Sequence, residues 1–395
     1  MDARVIDGLD QVSPESWNAL IGSNFPFLEH DFLRTLEETR CVGADTGWLP
    51  QHLLLHDKGQ LVGAVPLYLK TDSYGEYIFD WEWANAYQRH GLPYYPKLTC
   101  AIPYTPATGP RLLVHPESPD TQVQAQARLL EEVRTLLDSS LSSSLHFLFI
   151  PESEVPVFKE AGFIIRHSYQ FHWKNPGYAD FAEFLDTLKG RRRKEILRER
   201  RQVREQGLEI SWIRGDSLQR WHTDLFYRFY QTTIHHKWAN AYLTRGFFHK
   251  VFERMASQVL LVLAMQDGEY VAGTLNFHKG NRLYGRYWGC TQEFRSLHFE
   301  LCYYQTIEYA IQNGIELFEA GAQGPHKLQR GFLPSLTYSA HWISDPVFRK
   351  AISEYSVREQ QAIATGFAEA EEGHPYRNAV SSPPAPPQPV YSIKS

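Results

Sequence analysis

The period of the apolar positions changes along the chain in a fixed order, and that order occurs twice. The first passage predicts a helix near Pro14 to Ile21, a helix near Phe27 to Thr39, and strands HLLLH and LVGAVPLYL joined by the turn DKGQ. Farther on, Leu129, Leu130, Val133, Leu136 and Leu137 form a helical stripe, followed by the strand LHFLFI and a short helix ending before Gly162. The second passage predicts a helix through Leu218, Trp221, Leu225 and Phe229, another from Thr244 to Ala256, and strands VLLVLAM, YVAGTLNFH and LYGRYWG. A helix HFELCYYQTIEYAIQ, capped by Ser296 and stopped at Gly314, then leads to the strand IELFEA.

Two anchors put the passages in register. Gly63 in VGAVPLY matches Gly273 in AGTLNFH, each in the middle strand after a hairpin turn. Phe149 stands thirteen residues before Gly162-Phe163, and Phe318 thirteen before Gly331-Phe332. The halves therefore read as divergent copies of one α/β unit. The first copy is longer between its anchors by about forty residues, an aromatic and Pro-rich insertion at about 71–116. The pentapeptide WANAY occurs at Trp83–Tyr87 and at Trp238–Tyr242, but at different distances from Gly63 and Gly273. Its copies are not repeat equivalents; they are either coincidental or two contributions to one surface. Read as a strand, the insertion puts Phe79, Trp81 and Trp83 on one face and Asp80 and Glu82 on the other.

The run GRRRKEILRERRQVRE sits in a predicted long basic helix over 181–206 that connects the copies. The expected division is an N-terminal unit at 1–175, a C-terminal unit at 176–365 including that helix, and a disordered Pro-rich tail at 366–395.

Composition narrows the class. With 395 residues, 43% of them apolar, the chain has material for two cores and is not a disordered protein. A net charge of −5 gives no reason to expect a dedicated nucleic-acid binder and leaves room for a local basic patch. The N-terminus lacks a basic, apolar leader pattern, and no stretch approaches a spanning helix, so a cytoplasmic protein is expected. Cys41, Cys100, Cys290 and Cys302 form no C-x-x-C pair, and His52 and His56 lack a third ligand, so no metal site is expected.

Several long strings carry a resemblance: PFLEHDFL, FDWEWANAYQRHGLPYYPKL, AIPYTPATGPRLL, GRRRKEILRERRQV, TTIHHKWANAYLTRGFF and SLHFELCYYQTIEYAI. Over about residues 25 to 350 the chain resembles the FemAB-like predicted N-acyltransferases, a branch of the GNAT superfamily. The resemblance implies two tandem GNAT-like domains with mixed sheets, and transfer of an acyl or aminoacyl group to an amine, such as one on a cell-wall precursor. No tightly bound cofactor is implied. The donor is either an acyl-coenzyme A, held in GNAT domains by a Gly-rich turn, or an aminoacyl-tRNA, as in Fem-type relatives. The corresponding turn here, GCTQEFRSLHFE, has no glycine after Gly289, which departs from the coenzyme A pattern. The basic helix offers a surface for charged tRNA or another anion.

Amide formation needs a proton acceptor and groups that hold substrate. The leading candidate is the loop FEAGAQGPHKLQRGF, where α/β sheets commonly place ligand contacts. There Glu319 or His326 would accept a proton, Lys327 and Arg330 would bind phosphate or carboxylate, and Gly321 and Gly324 would admit substrate to the backbone. Tyr287 could protonate a leaving group, while Glu300 and His298 start the following helix and Arg295 lies just before it. Asp80, Trp81, Glu82 and Trp83 form an aromatic and acidic platform in the insertion, with Trp238, Tyr242 and His236 as a facing wall. An ordinary solvated loop and a packed insertion are the plain alternatives for these groups. The alternative function is a non-catalytic protein that recognises a glycan, peptide or nucleic acid in the cleft.

Overall fold

In the computed structural model, residues 1–116, 119–236, 241–322 and 324–377 are described. The first half runs β1 (Asp2–Ile6), α1 (Pro14–Asn18), α2 (His30–Glu38), β2 (Trp48–Pro50), β3 (His52–Asp57), β4 (Gln60–Val65), β5 (Leu67–Lys70) and α3 (Trp81–Arg89). It continues through β6 (Lys97–Cys100), β7 (Leu113–Val114), α4 (Pro119–Ser139), β8 (Ser144–Ile150), α5 (Val155–Glu160) and β9 (Ile164–Lys174). Helices α6 (Phe181–Thr187) and α7 (Gly190–Glu205) lead into the second half, with β10 (Glu209–Arg214), α8 (Arg220–His236), α9 (Arg245–Arg254), β11 (Val259–Gln266), β12 (Glu269–Lys279) and β13 (Arg282–Cys290). Helix α10 (Leu297–Phe299) passes through a π-helical turn, Glu300–Tyr304, into α11 (Gln305–Gln312), and β14 (Leu317–Glu319), β15 (Leu333–Ile343) and α12 (Pro346–Glu372) complete the order.

Eleven strands make one continuous mixed sheet in the order β10-β11-β12-β13-β14-β9-β15-β8-β6-β5-β2, beside a four-stranded sheet β1-β3-β4-β7. In each half a strand pair runs parallel, β6 with β8 and β13 with β14, where the two copies correspond. The halves exchange their last strands. β9, from the first half, pairs with β14, and β15, from the second, pairs with β8, while β9 and β15 pair with each other at the centre. Each copy thus completes the other's sheet, which places the ends of β8 and β14 on either side of the central pair.

Four expectations need correction. The insertion forms helix α3, not a strand, because Trp83 and Tyr87, four apart, both bury against Tyr94, Ile343 and Ile352. The basic connector is two helices, interrupted where Leu188 takes an extended conformation and bridges to Tyr376. The chain from 366 to 377 is ordered: α12 reaches Glu372, and the buried Tyr376 donates a 2.6 Å hydrogen bond to the Gly331 carbonyl. Ser296 adopts φ +63° and makes no cap; its hydroxyl donates to Gln202 Oε1 at 3.2 Å.

Candidate functional site between the two halves

A cavity of about 610 Å³ opens on the central strand pair. Its floor is Arg166, Ser168 and Gln170 of β9 with Thr337 and Ser339 of β15. Phe149, at the end of β8, and Ala322, just after β14, stand on opposite sides, so the ends of both parallel strand pairs reach it. The insertion supplies Tyr77 to Trp83, and α12 closes it with Tyr355, Glu359 and Ile363. Arg166 clamps this lid: its guanidinium donates to both carboxylate oxygens of Glu359, at 2.6 and 2.7 Å, and lies 4.8 Å from the Trp83 ring. The volume suits a drug-sized ligand or the end of a larger one.

Glu319 lies behind one wall. It ends β14 opposite Tyr284 of β13, at the point where these parallel strands stop pairing. The side chain is buried, and neither carboxyl oxygen has a hydrogen-bond partner among the described residues. Arg282 Nη1 is 3.6 Å from one oxygen and His172 Nε2 3.9 Å from the other. Burial pushes the carboxyl up to about 7; the Arg282 charge and the Thr108 backbone N–H, which falls short of hydrogen-bond geometry, only partly oppose this. His172, held neutral by burial and by Lys327, is 3.3 Å from Gln170 Oε1, and Gln170 lines the cavity. His172 Nε2 thus stands between Gln170 of the cavity floor and a carboxyl poised to gain or lose a proton near neutrality, without a hydrogen bond to that carboxyl.

The profile of the FemAB-like family, described as peptidoglycan biosynthesis/recognition, matches residues 8–378. The chain belongs to the FemAB-like family. Among solved structures it is similar to FemX, with 13% identity, TM-score 0.54, and coverage of 89% of this chain and 100% of that one. L-PGS from Bacillus licheniformis gives 9% identity and TM-score 0.50, over 81% of this chain and 94% of its own. A conserved protein of unknown function from Bacteroides thetaiotaomicron gives 10% and 0.51, over 86% and 99%. These likenesses establish a shared tandem fold. No curated protein sequence matches the chain.

The rest of the candidate loop in this FemAB-like protein has a supporting role. Lys327 is buried, pushed down to about 8 by burial, and donates to the Gly321 carbonyl at 2.7 Å, which pins the loop after Glu319. Gly321 and Gly324 have φ of +79° and +120°, values that favour glycine. His326 Nε2 is 2.8 Å from the Tyr303 hydroxyl, and burial lowers its basicity. Arg330 is stacked 3.4 Å over Phe299 and paired at 2.8 Å with Glu199 of α7, so its charge holds helices together. Glu300 is likewise buried, accepting from Arg200 at 3.1 Å and Gln305 at 2.7 Å.

His298 packs edge-on against the rings of Trp288, Tyr303 and His326. The Arg295 N–H donates to Gln206 Oε1 at 3.0 Å, and Gln206 Nε2 donates back to the Arg295 carbonyl at 3.0 Å. Together with the Ser296–Gln202 bond, these contacts seat α7 on the turn after β13.

Of the aromatic platform, Asp80, Trp81, Glu82 and Trp83 all line the cavity. Trp81 is exposed and Trp83 buried, and Glu82 accepts a hydrogen bond from Tyr355 at 2.7 Å. Asp80 is buried beside Lys97, whose charge overcomes burial and holds the carboxyl well below its usual range. Tyr287, pushed up to about 12 by burial, and Tyr242 pack in the same apolar cluster as the cavity residue Tyr77. Tyr242 also stacks on Tyr104 of the insertion, 4.7 Å between ring centroids. The second WANAY segment therefore meets the first half through Tyr242; Trp238 and the side chain of His236 lie outside the described residues.

Sequence reasoning missed His172, Gln170, Ser339, Arg166 and Glu359, all of which build the cavity or its wall. A signal existed. GFIIRHSYQFHW and GFLPSLTYSAHW match at Gly-Phe and at His-Trp, with identical spacing. This aligns β9 with β15 and His172 with His341.

Proposed function

We propose that this protein transfers an aminoacyl group from a charged tRNA to an amine bound in the cavity between its halves, with Glu319 as the proton acceptor. The observation that carries the reading is the Glu319 carboxyl: buried, without a hydrogen-bond partner among the described residues, poised at about 7 and separated from the cavity residue Gln170 by His172. An ammonium must lose a proton before its nitrogen can attack a carbonyl, and a carboxyl titrating near neutrality is matched to that task. The aromatic wall with the exposed Trp81 beside Glu82 suits an amine-bearing acceptor such as a cell-wall precursor peptide.

Two features favour tRNA over coenzyme A. The turn after β13 is glycine-free beyond Gly289, and its Arg295 N–H, a candidate for a pyrophosphate, is already bonded to Gln206. Helix α7 meanwhile presents Arg191, Lys194, Arg198 and Arg201 along an open groove, spaced three, four and three residues apart and so on one face. Both substrates of such a reaction are made in the cytoplasm, where this reading places it. The test is transfer of labelled amino acid from charged tRNA to peptide amines by the wild type and Glu319→Gln. The variant should lose about 100-fold or more in kcat/KM at pH 8 while its fold survives; equal turnover would remove Glu319 from the reaction.

A further inference from the structure

A second row of polar side chains runs from the cavity into the first half, and the transfer reading leaves it unused. Ser339 lines the cavity, and its Oγ is 2.8 Å from His341 Nε2. His341 Nδ1 is 2.7 Å from His146 Nδ1, and His146 Nε2 is 2.7 Å from Ser144 Oγ. Ser144 Oγ is 3.2 Å from Ser143 Oγ, and the Ser143 hydroxyl donates to the Tyr94 backbone carbonyl.

The direction of these bonds follows from that last contact. A carbonyl can only accept, so Ser143 gives it the proton and takes one from Ser144. Ser144 then accepts from His146 Nε2–H, which leaves His146 Nδ1 as acceptor from His341 Nδ1–H. His341 Nε2 is left with its lone pair toward Ser339, whose hydroxyl donates to it. The other partner of His146 agrees: the Tyr94 hydroxyl, 3.4 Å away, gives its own proton to Asp80 Oδ2 at 2.6 Å and so faces His146 as an acceptor. Burial lowers the basicity of both imidazoles and leaves them neutral at rest, so the assignment of His341 as base rests on the direction of these bonds.

We propose that Ser339 is a nucleophile that takes the acyl group of an activated ester, with His341 as its base and His146 as a positioning residue that fixes the His341 tautomer. The arrangement has the required order: nucleophile, base, and a third group that orients the base.

Two further features fit. Thr337, two residues earlier on β15 and also lining the cavity, has a buried hydroxyl with no partner among the described residues, available to a developing oxyanion. The strand opposite is bulged: Tyr338 pairs with Ile150 and Ser339 with Leu148, so Phe149 between them is skipped. Phe149 has φ +57°, a strained value for a bulky residue, and bulges of this kind re-aim side chains beside active sites.

In the step, Ser339 Oγ bonds to the ester carbonyl carbon and its proton passes to His341 Nε2. The carbon–oxygen bond of the ester breaks, the leaving alcohol takes that proton, and an acyl-Ser339 ester remains. This deepens the transfer reading and rests on the cavity being its acyl site. The amine, having given one proton to Glu319, attacks acyl-Ser339; its second proton returns through His341 to Ser339 Oγ, and the amide leaves.

The experiment uses p-nitrophenyl acetate, which reports acylation alone and needs neither tRNA nor an amine. The full chain should release a stoichiometric burst of p-nitrophenolate and carry one acetyl group, mapped by mass spectrometry to the peptide containing Ser339. Ser339→Ala should abolish the adduct, and His341→Gln should slow it about 100-fold or more. His146→Gln should lower the maximal rate without changing the half-saturating ester concentration, a split that simple loosening of the cavity would not give. Ser339→Ala removes one oxygen atom; should it nonetheless unfold, the position of the wild-type acetyl group carries the test. No adduct, an adduct elsewhere, or a rate unchanged in His341→Gln overturns the proposal. Wild-type acylation of Ser339 without amide transfer would uphold it while defeating the transferase reading, and full transfer by Ser339→Ala would do the reverse.

Discussion

Glu319 ties the chemistry to a stability measurement that needs no substrate. Its carboxyl moves from an ordinary 4.5 to about 7 on folding, chiefly through burial. The folded state therefore holds this proton more tightly than the unfolded chain. Below pH 4.5 both states are protonated, and the group's contribution to stability is fully present. Between 4.5 and 7 the unfolded chain has lost the proton while the folded one keeps it, so stability falls as pH rises and levels off above 7. The shift corresponds to about 3 kcal/mol between the two plateaus. Glu319→Gln removes this titration and keeps the shape. Glu76 and Glu154 are also raised to about 7, but they titrate in both proteins and cancel in the difference. Denaturant melts of both proteins from pH 4 to 8.5 should show the variant gaining on the wild type by about 3 kcal/mol, with the change centred between 4.5 and 7. A difference in unfolding free energy that stays flat across that range would refute the reasoning, because it would mean that the carboxyl is solvated.

Other perturbations have defined outcomes. A Cβ at Gly289 would lie 1.9 Å from the Phe229 carbonyl oxygen, so Gly289→Ala should cost about 3 kcal/mol or more in a denaturant melt; this glycine serves the close approach of α8 to β13. Lys97→Ala leaves Asp80 and Glu76 buried without their shared cation and should cost about 3–5 kcal/mol, read from the same kind of melt. Replacing Arg191, Arg198 and Arg201 by Ala should weaken tRNA binding at low salt and reduce the slope of log affinity against log salt by about 0.8 for each phosphate no longer neutralised.

The tandem α/β fold was legible because it repeats: Gly63 with Gly273 and Phe149 with Phe318 sit at matching points, and a repeat shows in spacing even when identity is low. The exchanged strands were not. β9 and β15 carry His172, Gln170, Ser339 and His341 where a central strand would ordinarily read as an apolar run. Buried polar groups that partner one another look, in sequence, like a solvated loop. Helix α3 was misread because FDWEWA alternates as a strand would, while the pairing that decides it, Trp83 with Tyr87, lies one turn on. Glu319 was identifiable from its place after the last strand of the second copy, but its lack of partners depends on Arg282 and His172 stopping short, a matter of tenths of an ångström. Arg330 shows the reverse case, since nothing local announces that Glu199, 131 residues away, neutralises it.

The donor decides the account most directly. Thermal unfolding of the full chain would be followed while charged tRNA, uncharged tRNA and a set of acyl-coenzyme A thioesters are titrated separately, since a ligand that binds the folded state raises the transition temperature. A saturable rise with charged tRNA that diminishes with added salt, and none with the thioesters, is the predicted result. A saturable rise with an acyl-coenzyme A alone would contradict it, and would mean that the turn after β13 releases Gln206 to admit a pyrophosphate.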